Sequence, residues 1–130
     1  MLHPKDFEVN EVWIAFRIND APIRTDRDGD FNCFVLMDAA SCFILGMELT
    51  PVAAAEPSRA QFRKLLKNAQ SHKNQLPETL FIAREDVADV MESEATGLNI
   101  EVVRVSAKEL QTFTREARQA FAERFESSSR

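Results

Sequence analysis

Glycine is nearly absent from this chain: three residues in 130, each isolated from the others. That excludes a glycine-rich phosphate loop, which needs clustered residues free of a Cβ to bring backbone N–H groups onto an anion. Cysteine is scarcer still, with only Cys33 and Cys42. They flank a turn at Asp38-Ala39-Ala40-Ser41, and pairing Asp38 with Ser41 sets Met37 opposite Cys42 and Cys33 opposite Gly46. The two sulfurs then lie roughly 13 Å apart along the ladder, at a rise of about 3.3 Å per residue. A disulfide cannot span that distance. The two read as buried apolar thiols, with a redox or metal role as the alternative. No apolar stretch approaches the roughly 20 residues that cross a bilayer. The opening Met1-Leu2-His3-Pro4-Lys5-Asp6 lacks the apolar centre of a signal peptide. A cytoplasmic protein is expected. Repeats and low-complexity tracts are missing too, so 1–130 reads as a single domain with residues 1–8 and 126–130 flexible.

What is present is an ordered series of apolar runs. Val9–Ile18 alternates Val12, Ile14, Phe16 and Ile18 with a mixed set, giving a strand with one very apolar face. Phe31–Met37 and Cys42–Leu49 are nearly continuous apolar runs, as in buried strands, with Asp38 suited to the first position of the turn between them. The connecting loop Asn19–Asp30 holds Pro22 and Asp28-Gly29. Helix and strand then alternate: Pro57–Lys73 helical, Thr79–Ala83 extended, Val87–Ala95 helical, Ile100–Val105 extended and Ala107–Phe125 helical. Pro57 suits the first helical position, with Phe62, Leu65, Leu66 and Ala69 as the apolar stripe. Asp86 is expected to cap the second helix, with Val87, Val90, Met91 and Ala95 inward and Gly97 as its left-handed stop. Ser106 and Glu109 form a capping box for the third, whose inner face is Leu110, Phe113, Ala117, Phe121 and Phe125. The order is β-β-β-α-β-α-β-α.

Three segments resemble the catalytic core of the integrase/transposase family. They are Trp13-Ile14-Ala15-Phe16, the run Phe34-Val35-Leu36-Met37-Asp38-Ala39-Ala40-Ser41-Cys42-Phe43-Ile44-Leu45-Gly46, and Leu76-Pro77 ahead of a strand. That family opens its first strand with tryptophan-x-x-aspartate, ends an apolar strand in Asp-x-x-Ser-Arg, and places a proline before the fourth strand. The resemblance spans residues 9–105. It implies an RNase H-like α/β fold in three layers, with a mixed five-stranded sheet. It also implies two divalent metals held by carboxylates, which stabilise the attacking and leaving oxygens of a phosphodiester. The chain departs from that pattern. Phe16 stands where the first carboxylate belongs, and no acid lies between Glu11 and Asp20. Ala83 and Arg84 stand where the second belongs, with Glu85 and Asp86 slightly late; Glu109 and Glu116 match the third by type only. A phenylalanine and an arginine exclude or repel Mg²⁺. The expectation is therefore a non-catalytic relative with no cofactor. In the family, the residues matching Asp38 and Ser41 shape a turn.

Other clusters admit two readings. Asp26, Asp28 and Asp30 place three carboxylates together, but without the spacing or distal glutamate of a calcium loop; a solvated turn is the plainer reading. Glu85-Asp86 is an acid pair by type, or a helix cap with a solvated neighbour. His3 sits in the terminal segment and His72 at a basic helix end, where a cation is favourable anyway. Charge is divided by segment. Arg59, Arg63, Lys64, Lys67 and Lys73 form a basic helix without an acid; Glu85, Asp86, Asp89, Glu92, Glu94 and Glu101 make the next unit acidic. These are solvated faces, or a docking surface for a protein partner or a second copy, or a nucleic-acid contact. The net charge of −5 counts against the last. Two functions remain: a silent RNase H-like binding or assembly module acting as a homodimer, or a Mg²⁺-dependent nuclease or phosphotransferase using Asp38, Glu85 and Asp86. The balance leans away from an enzyme.

Overall fold

The computed structural model describes residues 2–128. Its elements are β1 (Val12–Arg17), β2 (Ile23–Arg24), β3 (Asp30–Asp38), β4 (Ile44–Pro51), α1 (Arg59–Gln70), β5 (Thr79–Ala83), α2 (Asp89–Gly97), β6 (Glu101–Val105) and α3 (Ala107–Ser128). The expected order is observed, with one addition: the two-residue β2 pairs with the start of β3 and makes the sheet six-stranded. The main strands run β4-β3-β1-β5-β6. β3 is antiparallel to β1 and β4, whereas β5 is parallel to β1 and β6. Chain order therefore grows outward on one side of β1, then restarts at β5 on the other.

β1 is the middle of the sheet and is buried on both faces. Trp13 and Ala15 pack with Leu80 and Ile82 beneath Phe62, Leu65 and Leu66 of α1 and Met91 and Ala95 of α2. Val12, Ile14 and Phe16 pack with Val35, Phe81 and Phe113 beneath α3. The result is three layers, helices on both faces of a mixed sheet. Alternation in β1 reflects two unlike interiors rather than a core face and a wet face.

Local details differ from the sequence reading where a distant residue intervenes. α1 begins on a capping box of Ser58 and Gln61, so Pro57 precedes the cap instead of opening the helix. Asp86 does not cap α2. Its cap position is Ala88, without a side-chain bond, and the Glu56 carboxylate accepts from Val90 N–H (3.1 Å) and Met91 N–H (3.1 Å) instead. Val87 is exposed, while Met91 and Ala95 are buried as expected. The left-handed residue after α2 is Asn99 (φ 63°), not Gly97. The β3–β4 register also shifts. Cys33 faces Leu49 and Met37 faces Ile44, with a bulge between Leu36 and Met37. The turn is longer than four residues because Cys42 adopts φ 59° and its N–H donates to Asp38 O (2.8 Å). Both cysteines are free.

β4 is an edge strand, and α1 covers it. Gln61 Nε2 donates to Leu49 O (3.0 Å) and His72 Nε2 to Leu45 O (2.9 Å), blunting an edge that would otherwise template another strand. The N-terminal segment, read as flexible, forms a 3-10 turn at Pro4–Asp6 capped by His3. Phe7 then packs edge-on against Phe81, with ring centroids 5.7 Å apart. At the other end, Ser106 Oγ accepts from Glu109 N–H (3.3 Å) at the start of α3. The Phe125 side chain, and the expected fraying at Ser129 and Arg130, lie outside the described residues. No described helix is long and apolar enough to cross a membrane.

Candidate functional site

The three acids of the rearranged catalytic set do not meet. Asp38 closes β3 level with Trp13, which in turn is level with Leu80 of β5. Glu85 and Asp86 follow the opposite, carboxyl end of β5, so about five residues, roughly 16 Å, separate them from Asp38 along the sheet. Asp38 is buried and fully engaged. Its Oδ1 accepts from Asn10 N–H (2.6 Å), and its Oδ2 accepts from Ser41 N–H (2.9 Å) and Ser41 Oγ–H (2.7 Å). Asn10 is itself left-handed (φ 70°), and its Oδ1 accepts from the Trp13 indole N–H (2.9 Å). Asp38 thus ties the β3 turn to the chain entering β1. Glu85 Oε1 accepts from Ala107 N–H (2.9 Å), capping α3, and that bond holds its carboxyl below the usual range.

Asp26, Asp28 and Asp30 are exposed on the β2–β3 turn, which Thr25 closes through Gly29 O. Among the described residues no three His, Cys, Asp or Glu side chains gather as a metal-binding group. Three basic residues of α1, although exposed, find acidic partners within their own chain. Arg59 Nη1 and Arg63 Nε both pair with Glu94 of α2, and Lys64 lies 4.0 Å from Glu48 of β4. The division of charge seen in the sequence is therefore met, in good part, by an α1–α2 clamp within one molecule. Lys67 lines an open groove beside Arg63, Glu94 and Leu98.

A different cleft gathers functional groups that sequence reasoning missed. It lies past the carboxyl ends of β1 and β5, encloses about 350 Å³, and is lined by Arg17, Pro22, Asn32, Phe34, Val52, Asp86, Val87 and Arg118 among others. Its charged groups come from three segments, the residue ending β1, the loop after β5 and the middle of α3, while the β1–β2 loop, β3 and the loop after β4 supply the rest of the lining. The Arg118 guanidinium lies 5.3 Å from the centroid of the Phe16 ring, a cation–π contact, and its Nε donates to Arg17 O (3.1 Å). Burial pushes the Asp86 carboxyl up, against the opposing pull of Arg118, Arg104 and Arg17. Arg104 is otherwise committed, to Glu92 (2.7 Å) and to the Asp86 carbonyl. Asn32 is fixed by Asn19, whose Nδ2 donates to Asn32 Oδ1 (3.0 Å). The signal for Arg118 was its place in α3, four residues after buried Thr114 and beside half-buried Ala117, at the border of the apolar face. The signal for Arg17 was its place directly after Phe16.

Two divalent metals of the kind the resemblance implies do not fit these residues. Where the first carboxylate would stand, a buried aromatic ring carries a guanidinium against its face.

Comparison with solved structures places this architecture among RNase H-like, integrase-type folds. The catalytic core domain of HTLV-2 integrase, in a magnesium-bound dimeric form, superposes with a TM-score of 0.51 at 11% identity, covering 79% of this chain and 62% of that one. A chain of the simian T-cell lymphotropic virus intasome in complex with the PP2A regulatory subunit B56 gamma gives 0.52 at 12% identity, covering 91% and 37%. The Mos1 strand transfer complex gives 0.51 at 14%, covering 87% and 41%. This chain therefore spans less than two thirds of each of those chains, and at such identities the likeness concerns the fold. No curated protein matches the sequence. The chain belongs to the family described as Domain of unknown function (DUF6930), which matches residues 4–121.

Proposed function

We propose that this protein is a non-catalytic RNase H-like binding or assembly module. The supporting observation is the end of β1, where Phe16 is buried and covered by the Arg118 guanidinium. A positive charge fixed there opposes a divalent cation by direct repulsion, and an aromatic ring supplies no lone pair to ligate one. The acids nearest in type are used elsewhere: Asp38 holds a turn, and Glu85 caps α3. Assembly with a second copy or another protein is part of the proposal. The dimeric form belongs to the HTLV-2 integrase core and the B56 gamma complex to the simian viral intasome. Because Arg59 and Arg63 already clasp Glu94, such assembly does not run through a simple pairing of the two charged helices. The exposed Met47 and Leu49 on β4 and Phe43 beside it offer an apolar alternative.

The test is thermal unfolding with and without Mg²⁺ or Mn²⁺, alongside cleavage of single- and double-stranded DNA and RNA. A site filled at about a hundred times its Kd stabilises by about 2.7 kcal/mol, several degrees in Tm. We expect no such shift and no cleavage. A metal-dependent rise of that size, lost in Asp86→Asn, would refute the non-catalytic reading.

A further inference from the structure

We infer that the cleft past the carboxyl ends of β1 and β5 receives a small amphiphilic organic anion. Arg17 and Arg118 take its charged head, and the wall of Pro22, Phe34, Val52 and Val87 takes its apolar body. The inference rests on the non-catalytic reading, because the same guanidinium that excludes a metal is what attracts the anion.

Position is the first argument. In open α/β sheets, ligands settle outside the carboxyl ends of the strands where the chain order reverses. Here that reversal lies between β1 and β5, since β3 and β4 extend to one side and β6 to the other. The cleft opens at that point.

Charge is the second. Arg118 uses only its Nε, on Arg17 O, and among the described residues neither its Nη groups nor the Arg17 side chain has a hydrogen-bonded partner. Asp86 is near enough to feel both but forms no ion pair with either within 4.0 Å among the described residues. Two guanidinium-bearing residues thus line the cleft with a single carboxylate, Asp86. A guanidinium fork matches the geometry of a carboxylate or phosphate head, and two forks favour a dianion.

Size and lining are the third. A volume of about 350 Å³ falls in the range of small-molecule sites. Val52 and Val87, 42% and 54% exposed, stand beside buried Phe34 in the lining and leave an apolar wall open to solvent. A nucleic-acid groove would need a longer basic track, against a chain of net charge −5.

The experiment is calorimetric titration of the full chain with phenyl phosphate, phenylacetate and inorganic phosphate, repeated on Arg17→Gln, Arg118→Gln and Val87→Asp. Phenyl phosphate is expected to bind more tightly than inorganic phosphate, which lacks the apolar body. Arg17→Gln and Arg118→Gln should each weaken it about tenfold or more, the loss of one charge-assisted contact. Val87→Asp, at an exposed position, should do the same by repulsion and keeps the result readable if Arg118→Gln fails to fold. Absence of binding by both organic anions overturns the inference while leaving the non-catalytic reading intact, unless Mg²⁺ also raises the Tm, in which case both fall. Binding that survives all three substitutions places the ligand elsewhere and overturns it as well. A single-stranded oligonucleotide that binds in place of the small anions, and is lost in the same variants, overturns it in favour of a polymer contact.

Discussion

Asp38 shows how a catalytic-looking residue can be wholly occupied by structure. Three hydrogen bonds reach its carboxylate, two from backbone N–H groups and one from the Ser41 hydroxyl. The Asn10 N–H is buried, so removing its acceptor leaves a donor without water or protein. Asp38→Ala should therefore cost about 3 kcal/mol of stability in urea unfolding, and Asp38→Asn clearly less, because one acceptor oxygen remains. Equal and small losses in both variants would show that the turn does not depend on this carboxylate. The cysteines differ at the same scale. Burial, with Glu48 nearby, pushes the Cys33 thiol up to about 11, so it stays protonated at neutral pH. Cys42 is raised too, first by burial, but is half-exposed. A thiol reagent on the native protein should label Cys42 well before Cys33; simultaneous labelling would mean that the β3 interior opens readily.

At the scale of elements, what the sequence discloses is local and what it hides is not. The stripe Phe62, Leu65, Leu66 and Ala69 was legible because helical spacing alone puts those residues on one face. The β3–β4 register was not legible: a bulge and a left-handed Cys42 add residues that alternation cannot count. The cap of α2 was misassigned to Asp86 for a related reason. The true cap, Glu56, lies 34 residues before Val90 and reaches it only because the loop after β4 and the loop after β5 leave the same end of the sheet. The cleft escaped notice for that reason too, since Arg17, Asp86 and Arg118 come from three separate elements. Glu56→Ala should destabilise by about 1–2 kcal/mol, a lost cap together with a lost anion at a helix N-terminus, whereas Asp86→Asn should not. Chemical denaturation of the two variants decides between these caps. Where α1 crosses β4, Gly46 permits the approach: an added Cβ would lie 3.1 Å from Leu65 Cδ1. Gly46→Ala should cost about 1 kcal/mol by the same measurement, through overpacking of that contact.

For the whole molecule, the opposed charges of α1 and α2 decide how stability responds to acid. The division of sign was plain in the sequence, but its internal pairing was not, because Arg59 and Glu94 are brought together only when both helices lie on one face of the sheet. Arg63 and then Arg59 hold the Glu94 carboxyl below its ordinary value of 4.5. A carboxyl depressed in the folded state binds its proton more readily when unfolded. Its stabilisation is therefore fully present above the unfolded value and is lost as pH falls through the lowered, folded one. Glu85, depressed by the Ala107 N–H, behaves alike. Asp86, raised by burial, runs the other way: its contribution is full below the unfolded value and declines as pH rises through the raised one. Glu94→Gln should accordingly lower stability at neutral pH, with the gap to the parent protein closing on acidification below pH 4.5. Added salt should narrow the neutral-pH gap as well, because the guanidinium partners are more than half exposed. Unfolding curves across pH and ionic strength test this directly: a gap that stays constant in both would mean that Glu94 acts by packing, and that α1 and α2 are held together without their charges.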